Sequence, residues 1–413
     1  MTDQLALPRT QTTATVESFD GLAAEWDDLV ARCSRATPFQ SYAWLESWWR
    51  AYGAAGRLRV VLVRQGERLV AAAALMLERR GGCPVLTPLG GACSDFTDVL
   101  VEDTDPATAV DAARALAAAI VALPGWQALD FPETRPDAVA GGLLAEAWPG
   151  RRFASTASLC LELPAMPMDD LVRELPQHTR KTVKRRLNQL RKANPDIRAI
   201  EPGDADQAVW RLLRLHAAQW VGRGVNEEHL TPAYAAHLTR AVPAMIRAGQ
   251  AALLEYRFDG KLLASSLVLI GRDLVGGYLY GAEPELRERV DITTMLLADT
   301  LPMAHRLGLS TMSMLRGAEE HKHRWRPQEV QNRRVVLSRP DSVRGVAYAS
   351  GVLAYRRAVE LAKRRAPWLR TVRDWVKRPS IAGHGSPAKA AGPQAAVARP
   401  DRNGARQGDQ VGS

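Results

Sequence analysis

Apolar positions along the chain fall into two successive runs with the same order of periods. In the first, residues 14–18 read as a short strand. Residues 21–33 read as a helix, with Leu22, Trp26, Leu29 and Val30 on one face. The aromatic-rich stretch from Phe39 predicts a second helix from Ser41. Residues 58–64 and 69–77 are strands split by Gln65-Gly66-Glu67-Arg68, a hairpin signal. Residues 84–101 read as another strand pair around Gly90-Gly91, 107–123 as an alanine-rich helix and 128–131 as a strand. The order is β-α-α-β-β-β-α-β.

Residues 197–200 begin that order again as a strand. A helix follows over 205–220, with Val209, Leu212, Leu213, His216 and Trp220 at helical spacing, and another over 232–248. Residues 251–257, 262–270 and 274–280 form a meander turning at Asp259-Gly260 and Arg272-Asp273. Residues 292–307 predict a helix kinked at Pro302, and 311–315 and 330–337 predict strands.

A repeat of about 170 residues predicts two copies of one fold. The expected class is α/β (α+β), with two mixed central sheets flanked by helices. The expected boundaries are 1–165 for the first copy and 166–340 for the second, joined by a basic linker helix over 171–192. Residues 341–378 read as basic C-terminal helices. One spans 344–366 and stops at Pro367; the other spans 368–378, with Leu369, Val372 and Trp375 opposite Arg370, Arg373 and Lys377. The Gly, Pro, Ala and Ser content of 379–413 predicts disorder.

The chain has 413 residues, 46% hydrophobic and 24% charged, enough for each copy to bury a core. Its net charge is +10. That excess lies in residues 344–413, which hold 14 Lys and Arg against 4 Asp and Glu. The body is therefore neutral and needs no polyanionic partner, so no DNA contact is expected. The basic end suits a membrane surface, a nucleic acid or neither. No apolar run reaches the roughly 18 residues of a membrane span, and residues 1–8 lack the pattern of a signal peptide. A cytoplasmic location is expected, with peripheral contact at the inner membrane through 344–378 as the second reading of the amphipathic segment. Cys33, Cys83, Cys93 and Cys160 form no Cys-x-x-Cys and have no histidine at ligand spacing. No metal is expected, and the thiols should be reduced.

Residues 312–325 concentrate the chemistry. Met312, Met314 and Leu315 end a strand, Arg316-Gly317 follows, and Glu319, Glu320, His321, Lys322, His323 and Arg324 precede Trp325. Charges gathered where a buried strand ends line ligand clefts, or they brace a solvated loop. The linker carries Arg180, Lys181, Lys184, Arg185, Arg186, Arg191 and Lys192 with no acid among residues 179–192. That is either a solvated face or an attraction for a phosphorylated or acidic substrate. Asp95 and Asp98 read as cleft residues or as turn chemistry. Trp44, Trp48, Trp49 and Trp220 are expected core anchors, and His216 a hydrogen-bonded core histidine.

Four patterns, in this order, resemble the bacterial CelD/BcsL-type proteins of cellulose and other exopolysaccharide synthesis, which carry the GNAT acyltransferase fold in tandem. They are Pro38-Phe39-Gln40 with Trp44 and Trp48-Trp49; Pro88-Leu89-Gly90-Gly91 with Ser94-Asp95; Leu215-His216 with Trp220; and Leu315-Arg316-Gly317 with Glu320, Lys322 and Trp325. Fem-type peptidoglycan aminoacyltransferases are similar at a distance. The resemblance implies direct transfer of an acetyl or other acyl group to an amine or hydroxyl of a sugar or polysaccharide precursor. Acetyl-CoA, or another acyl-CoA, would be a co-substrate and not a tightly bound cofactor. The resemblance implies catalytic roles for Arg316, Glu320, His321, Lys322 and Asp95. It places the donor's diphosphate near Asp291, with Arg287, Arg289, Asp291, Thr293 and Tyr280 as binding residues. Two departures stand out. His321 replaces a common Tyr, and Val290 and Ile292 replace loop glycines, so branched side chains would obstruct the backbone. The same features leave two alternatives. One is Fem-like transfer from an aminoacyl-tRNA to a cell-wall precursor. The other is a non-catalytic GNAT-like scaffold at a membrane.

Overall fold

The computed structural model describes residues 12–219 and 227–365. The first run forms β1 (Thr12–Glu17), α1 (Ala23–Arg32), α2 (Tyr42–Tyr52), β2 (Leu58–Gln65), β3 (Arg68–Arg80), β4 (Cys83–Pro88), β5 (Leu100–Val101), α3 (Pro106–Ala122) and β6 (Ala128–Thr134). Then come α4 (Leu143–Ala147), β7 (Arg152–Pro164), α5 (Met168–Glu174) and α6 (Gln177–Ala193). The second run forms β8 (Asp196–Ala199), α7 (Ala205–Gln219), α8 (Pro232–Arg247), β9 (Ala251–Phe258), β10 (Lys261–Ile270) and β11 (Leu274–Ala282). It continues through α9 (Leu286–Arg289), α10 (Ile292–Arg306), β12 (Thr311–Arg316) and α11 (Glu320–His323), and β13 (Gln328–Ser338) and α12 (Val343–Arg365) follow. Trp220, the helix expected over 368–378 and the stretch 379–413 lie outside the described residues.

Local chemistry sets the helix starts. Ser41, Asp105, Thr231 and Asp291 precede α2, α3, α8 and α10, and each side-chain oxygen accepts the N–H three residues on. The linker, expected as one basic helix, is two. Pro176 has no N–H to carry α5 onward and instead precedes α6.

The two sheets expected from the repeat are joined into one of order β1-β2-β3-β4-β6-β13-β7-β12-β11-β10-β9-β8. The join is the antiparallel pair β7 and β13. Residues 333–338 of β13 also pair with β6 of the first lobe, and residues 160–164 of β7 also pair with β12 of the second. Each long strand thus serves both lobes. β7 was not foreseen in the sequence. Helices cover both faces. Trp26 and Trp44 from the first lobe share one buried cluster with Leu212, Leu238 and Leu267 from the second. On the other face, Leu116 and Ile120 of α3 pack on Val61 and Leu129, and Leu297 and Leu301 of α10 on Val268 and Val275.

One irregularity recurs in both lobes at different sizes. Between β10 and β11, Leu267 faces Leu279 and Val268 faces Gly277, so Tyr278 bulges out alone. In the first lobe, β4 and β5 do not pair with each other, as the sequence suggested. Both pair with β3, Leu75 facing Pro88 and Ala72 facing Leu100. While β3 advances three residues its partner advances twelve, so nine residues are extruded. This excursion carries Cys93 and Asp95 toward the second lobe.

Candidate active site

The parallel strands β11 and β12 pair only from Leu274 with Thr311 to Gly276 with Ser313, and then diverge. Leu315 takes φ 55°, which turns β12 aside. Its side chain lies against Gly276, where an added Cβ would meet Leu315 Cδ2 at 2.9 Å. At Gly277, an added Cβ would meet nothing within 4 Å, and that residue is exposed. A wedge therefore opens along β11 from Gly277 onward.

The two repeats meet at its mouth. Arg316 Nε donates to Asp95 Oδ1, and its Nη2 donates to the Ala92 carbonyl at 3.2 Å. Glu133 Oε1 lies 3.8 Å from Arg316 Nη1. Glu133 itself is buried and accepts from Ser158 Oγ at 2.6 Å and from Asn332 Nδ2 at 3.2 Å. Burial opposes the charge on Arg316, but the Asp95 carboxylate outweighs it and the pKa stays above its ordinary value. Tyr278, the bulged residue, donates to the Cys93 carbonyl at 2.9 Å, and Tyr234 donates to Tyr278 at 3.2 Å. Burial, then the neighbouring Tyr234 and Cys93, hold the Tyr278 phenol well above its usual range. The single-residue bulge of one lobe thus contacts the excursion of the other.

The remaining sequence candidates separate into groups. Lys322 Nζ ties the turn after β12 by donating to the carbonyls of Met314 (3.1 Å), Arg316 and Gly317 (both 3.4 Å), and it pairs with Glu319 at 2.8 Å. Glu320 and His321 are exposed on α11 and no hydrogen bond joins them to Arg316. At the start of α10, Asp291 caps Thr294 and pairs with Arg324 and, at 3.2 Å, with Arg186 from α6. Burial would raise its carboxyl, but the bonds from Thr294 and Arg324 hold it below the ordinary value. Val290 and Ile292 are buried in the core below this helix start, so neither side chain stands over it, contrary to the obstruction expected. Thr293 is half-buried there, and Arg287 is exposed. Arg289 is exposed, pairs with Asp259 at 2.9 Å and lies over the Phe258 ring. The Tyr280 carbonyl is bound by His216 and Gln219 of α7. Asp98 caps residues 139 and 140, accepting both amides, and burial pushes its pKa up to about 7. Trp44 and Trp48 are core anchors, and Trp44 Nε1 donates to Ser94 Oγ.

The structure thus brings Asp95 and Arg316 together from separate repeats, but not Glu320 or His321. Sequence reading missed Glu133, Cys93, Tyr234 and Tyr278. Only Tyr278 carried a local signal, as the residue after the Gly276-Gly277 pair in a strand.

The doubly built mixed sheet, splayed at one parallel pair, has the fold of GNAT-type acyltransferases. Residues 177–323 match the family described as the acetyltransferase (GNAT) domain. FemX is similar in structure, at 11% identity over 78% of this chain and 96% of that one, with a TM-score of 0.55. The C-terminal domain of a putative lysylphosphatidylglycerol synthetase from Agrobacterium fabrum is 11% identical over 81% and 97%, with a TM-score of 0.51. A conserved protein of unknown function from Bacteroides thetaiotaomicron is 12% identical over 79% and 100%, with a TM-score of 0.52. These likenesses concern the fold. No curated protein matches the chain.

Proposed function

We propose that the chain moves an acyl group from acyl-CoA, seated in the second lobe, to an amine or hydroxyl of a sugar or polysaccharide precursor entering between the lobes. The open wedge at Gly277, with Arg316 and Asp95 at its mouth, carries this reading. An extended thioester arm laid along β11 would find main-chain partners as an added strand does. The first two amides of α10, Ile292 and Thr293, have no acceptor within the helix and suit a diphosphate. Arg186, Arg287, Arg289 and Arg324 add positive charge there. Burial pushes the Cys93 thiol up to about 11 and the Cys160 thiol up to about 12. Both are protonated at neutral pH, which favours direct attack over a cysteine-bound intermediate. The four motifs shared with CelD/BcsL-type proteins support the precursor as acceptor.

Calorimetric titration with acetyl-CoA and longer acyl-CoAs tests this. One donor should bind per chain, and at 100 times its Kd it should stabilise the fold by about 2.7 kcal/mol. Failure of every acyl-CoA to bind contradicts the proposal.

One observation favours a second reading, Fem-like transfer from an aminoacyl-tRNA. Lys181, Lys184, Arg185, Arg191 and Lys192 are all exposed on α6, the helix whose Arg186 reaches the start of α10. Salt-sensitive tRNA binding without acyl-CoA binding would select it.

A further inference from the structure

We propose that the groove between α12 and the β3–β4 turn binds a phosphate ester, its anionic group held by Arg80, Arg334 and Arg344 and its apolar part laid along Tyr348, Val352 and Tyr355. The groove has a volume of about 720 Å³, within the roughly 300–1,000 Å³ of small-ligand sites. It lies at the start of β4, and β6, β13, β7 and β12 stand between β4 and β11 in the sheet. It is therefore separate from the wedge, and the proposal does not depend on acyl transfer.

The sequence builds two walls. Arg80 faces Cys83 across a two-residue turn, and Gly81 and Gly82 take φ +55° and +77°, the left-handed pair that such a turn favours. An added Cβ at either would meet nothing within 4 Å, so this wall carries no side chain of its own. The opposite wall is α12. Its start is pressed on the chain entering β6, since a Cβ at Gly345 would lie 2.1 Å from the Gln127 carbonyl oxygen. Ala349 is buried in one cluster with Val85 and Val336. Gly351 differs. It sits within the helix, where glycine is less stable than alanine, yet an added Cβ would meet nothing within 4 Å. Packing does not call for glycine there. Its missing side chain keeps the groove open between Tyr348 and Tyr355, two turns apart on the same face of α12.

A buried carboxylate organises the charged side. Asp130 of β6 is fully buried and accepts from Arg334 Nε at 2.8 Å, from Tyr348 Oη at 2.5 Å and from Arg80 Nη1 at 3.3 Å. Arg80 also pairs with Glu78 at 2.8 Å. These bonds orient two guanidinium groups and use only part of the five N–H donors on each. Arg334 Nη1 has no acceptor among the described residues. Arg344 is exposed in the first turn of α12, and no acid among the described residues pairs with it. The helix dipole disfavours a cation there, so helix stability does not account for it, whereas an anion beside it is favoured by both. Three arginines against Asp130 and Glu78 leave positive charge next to an apolar stripe. A phosphate has enough oxygens to share among three guanidinium groups, and a carboxylate does not.

Calorimetric titration of the full chain with phenyl phosphate and with inorganic phosphate tests the proposal. Flotation with vesicles of equal parts phosphatidylglycerol and phosphatidylcholine runs beside it. Phenyl phosphate should bind at least about tenfold more tightly than inorganic phosphate, because its ring is also buried. Arg344→Gln removes the unpaired cation, and Gly351→Leu fills the groove without changing its charge. Each should weaken phenyl phosphate at least about tenfold. Neither should lower the unfolding temperature, since Arg344 has no ion pair to lose and Gly351 faces open space. Phenyl phosphate binding that both variants lose assigns the groove to a free phosphate ester. Vesicle binding that both variants lose, with no phenyl phosphate bound, assigns it to a lipid headgroup. Equal affinity for the two soluble probes overturns the role of the apolar stripe. A wild type that binds neither phenyl phosphate nor vesicles, or variants that keep wild-type affinity, overturn the proposal.

Discussion

Arg316 is held by a carboxylate from the other repeat, and that decides what its replacement does. Arg316→Ala leaves a half-buried Asp95 and a buried Glu133 without their cation, a loss that solvent around Asp95 partly screens. A double-mutant cycle of Arg316→Ala and Asp95→Ala in urea should give a coupling of about 1–3 kcal/mol, and zero coupling would mean the pair does not join the lobes. His237 gives a pH signature. It is buried against Ser47 and Trp44, and burial pushes its pKa down to about 3. The unfolded value is near 6.5, so between these limits only the unfolded chain binds the proton. Stability therefore rises with pH across that window, by up to about 1.4 kcal/mol per pH unit. Asp98 opposes it: its raised carboxyl contributes stability present below about pH 4 and lost as pH rises through about 7. His237→Gln should flatten the wild-type slope between about pH 4 and 6 by roughly one proton, and an unchanged slope would refute the assignment. At this scale the sequence showed Arg316 and Asp95 as motif residues. Glu133 could not be read, because only the pairing of distant strands gives it its neighbours.

Two glycines separate folding from function at the scale of the element. Gly90 begins the excursion at φ +98°, and an added Cβ would lie 2.0 Å from Ser94 Oγ. Gly90→Ala should cost about 2 kcal/mol or more in thermal or urea unfolding. Gly277→Ala meets no atom, so its stability should stay within about 0.5 kcal/mol of wild type. The new methyl would enter the wedge and should weaken acetyl-CoA binding. Equal affinity in the two proteins would show that the donor does not lie along β11. Helices were legible because their caps and 3.6-residue periods are local. β7 was not, because its first half is small and polar, Ala154-Ser155-Thr156-Ala157-Ser158, and becomes a strand only between β13 and β12. The nine-residue excursion hid for a similar reason. Gly90-Gly91 marked a turn, but nothing local shows that the chain returns to β3.

The repeat was visible in the order of elements, but the exchange of long strands between lobes was not, since that is set by pairing over more than 160 residues of sequence. Its consequence is cooperative. Removing either lobe would expose an edge of β7 or β13 and open the shared helical core. A single unfolding transition is expected, with calorimetric and van't Hoff enthalpies equal, and two resolved transitions would show that the lobes fold separately. The central claim is that one wedge, in the second lobe, receives the donor. Amide hydrogen exchange with and without acetyl-CoA tests it most directly. Protection is expected along Leu274–Ala282 and in the first turn of α10. Protection at β4 and β6 of the first lobe, or none anywhere, would contradict it.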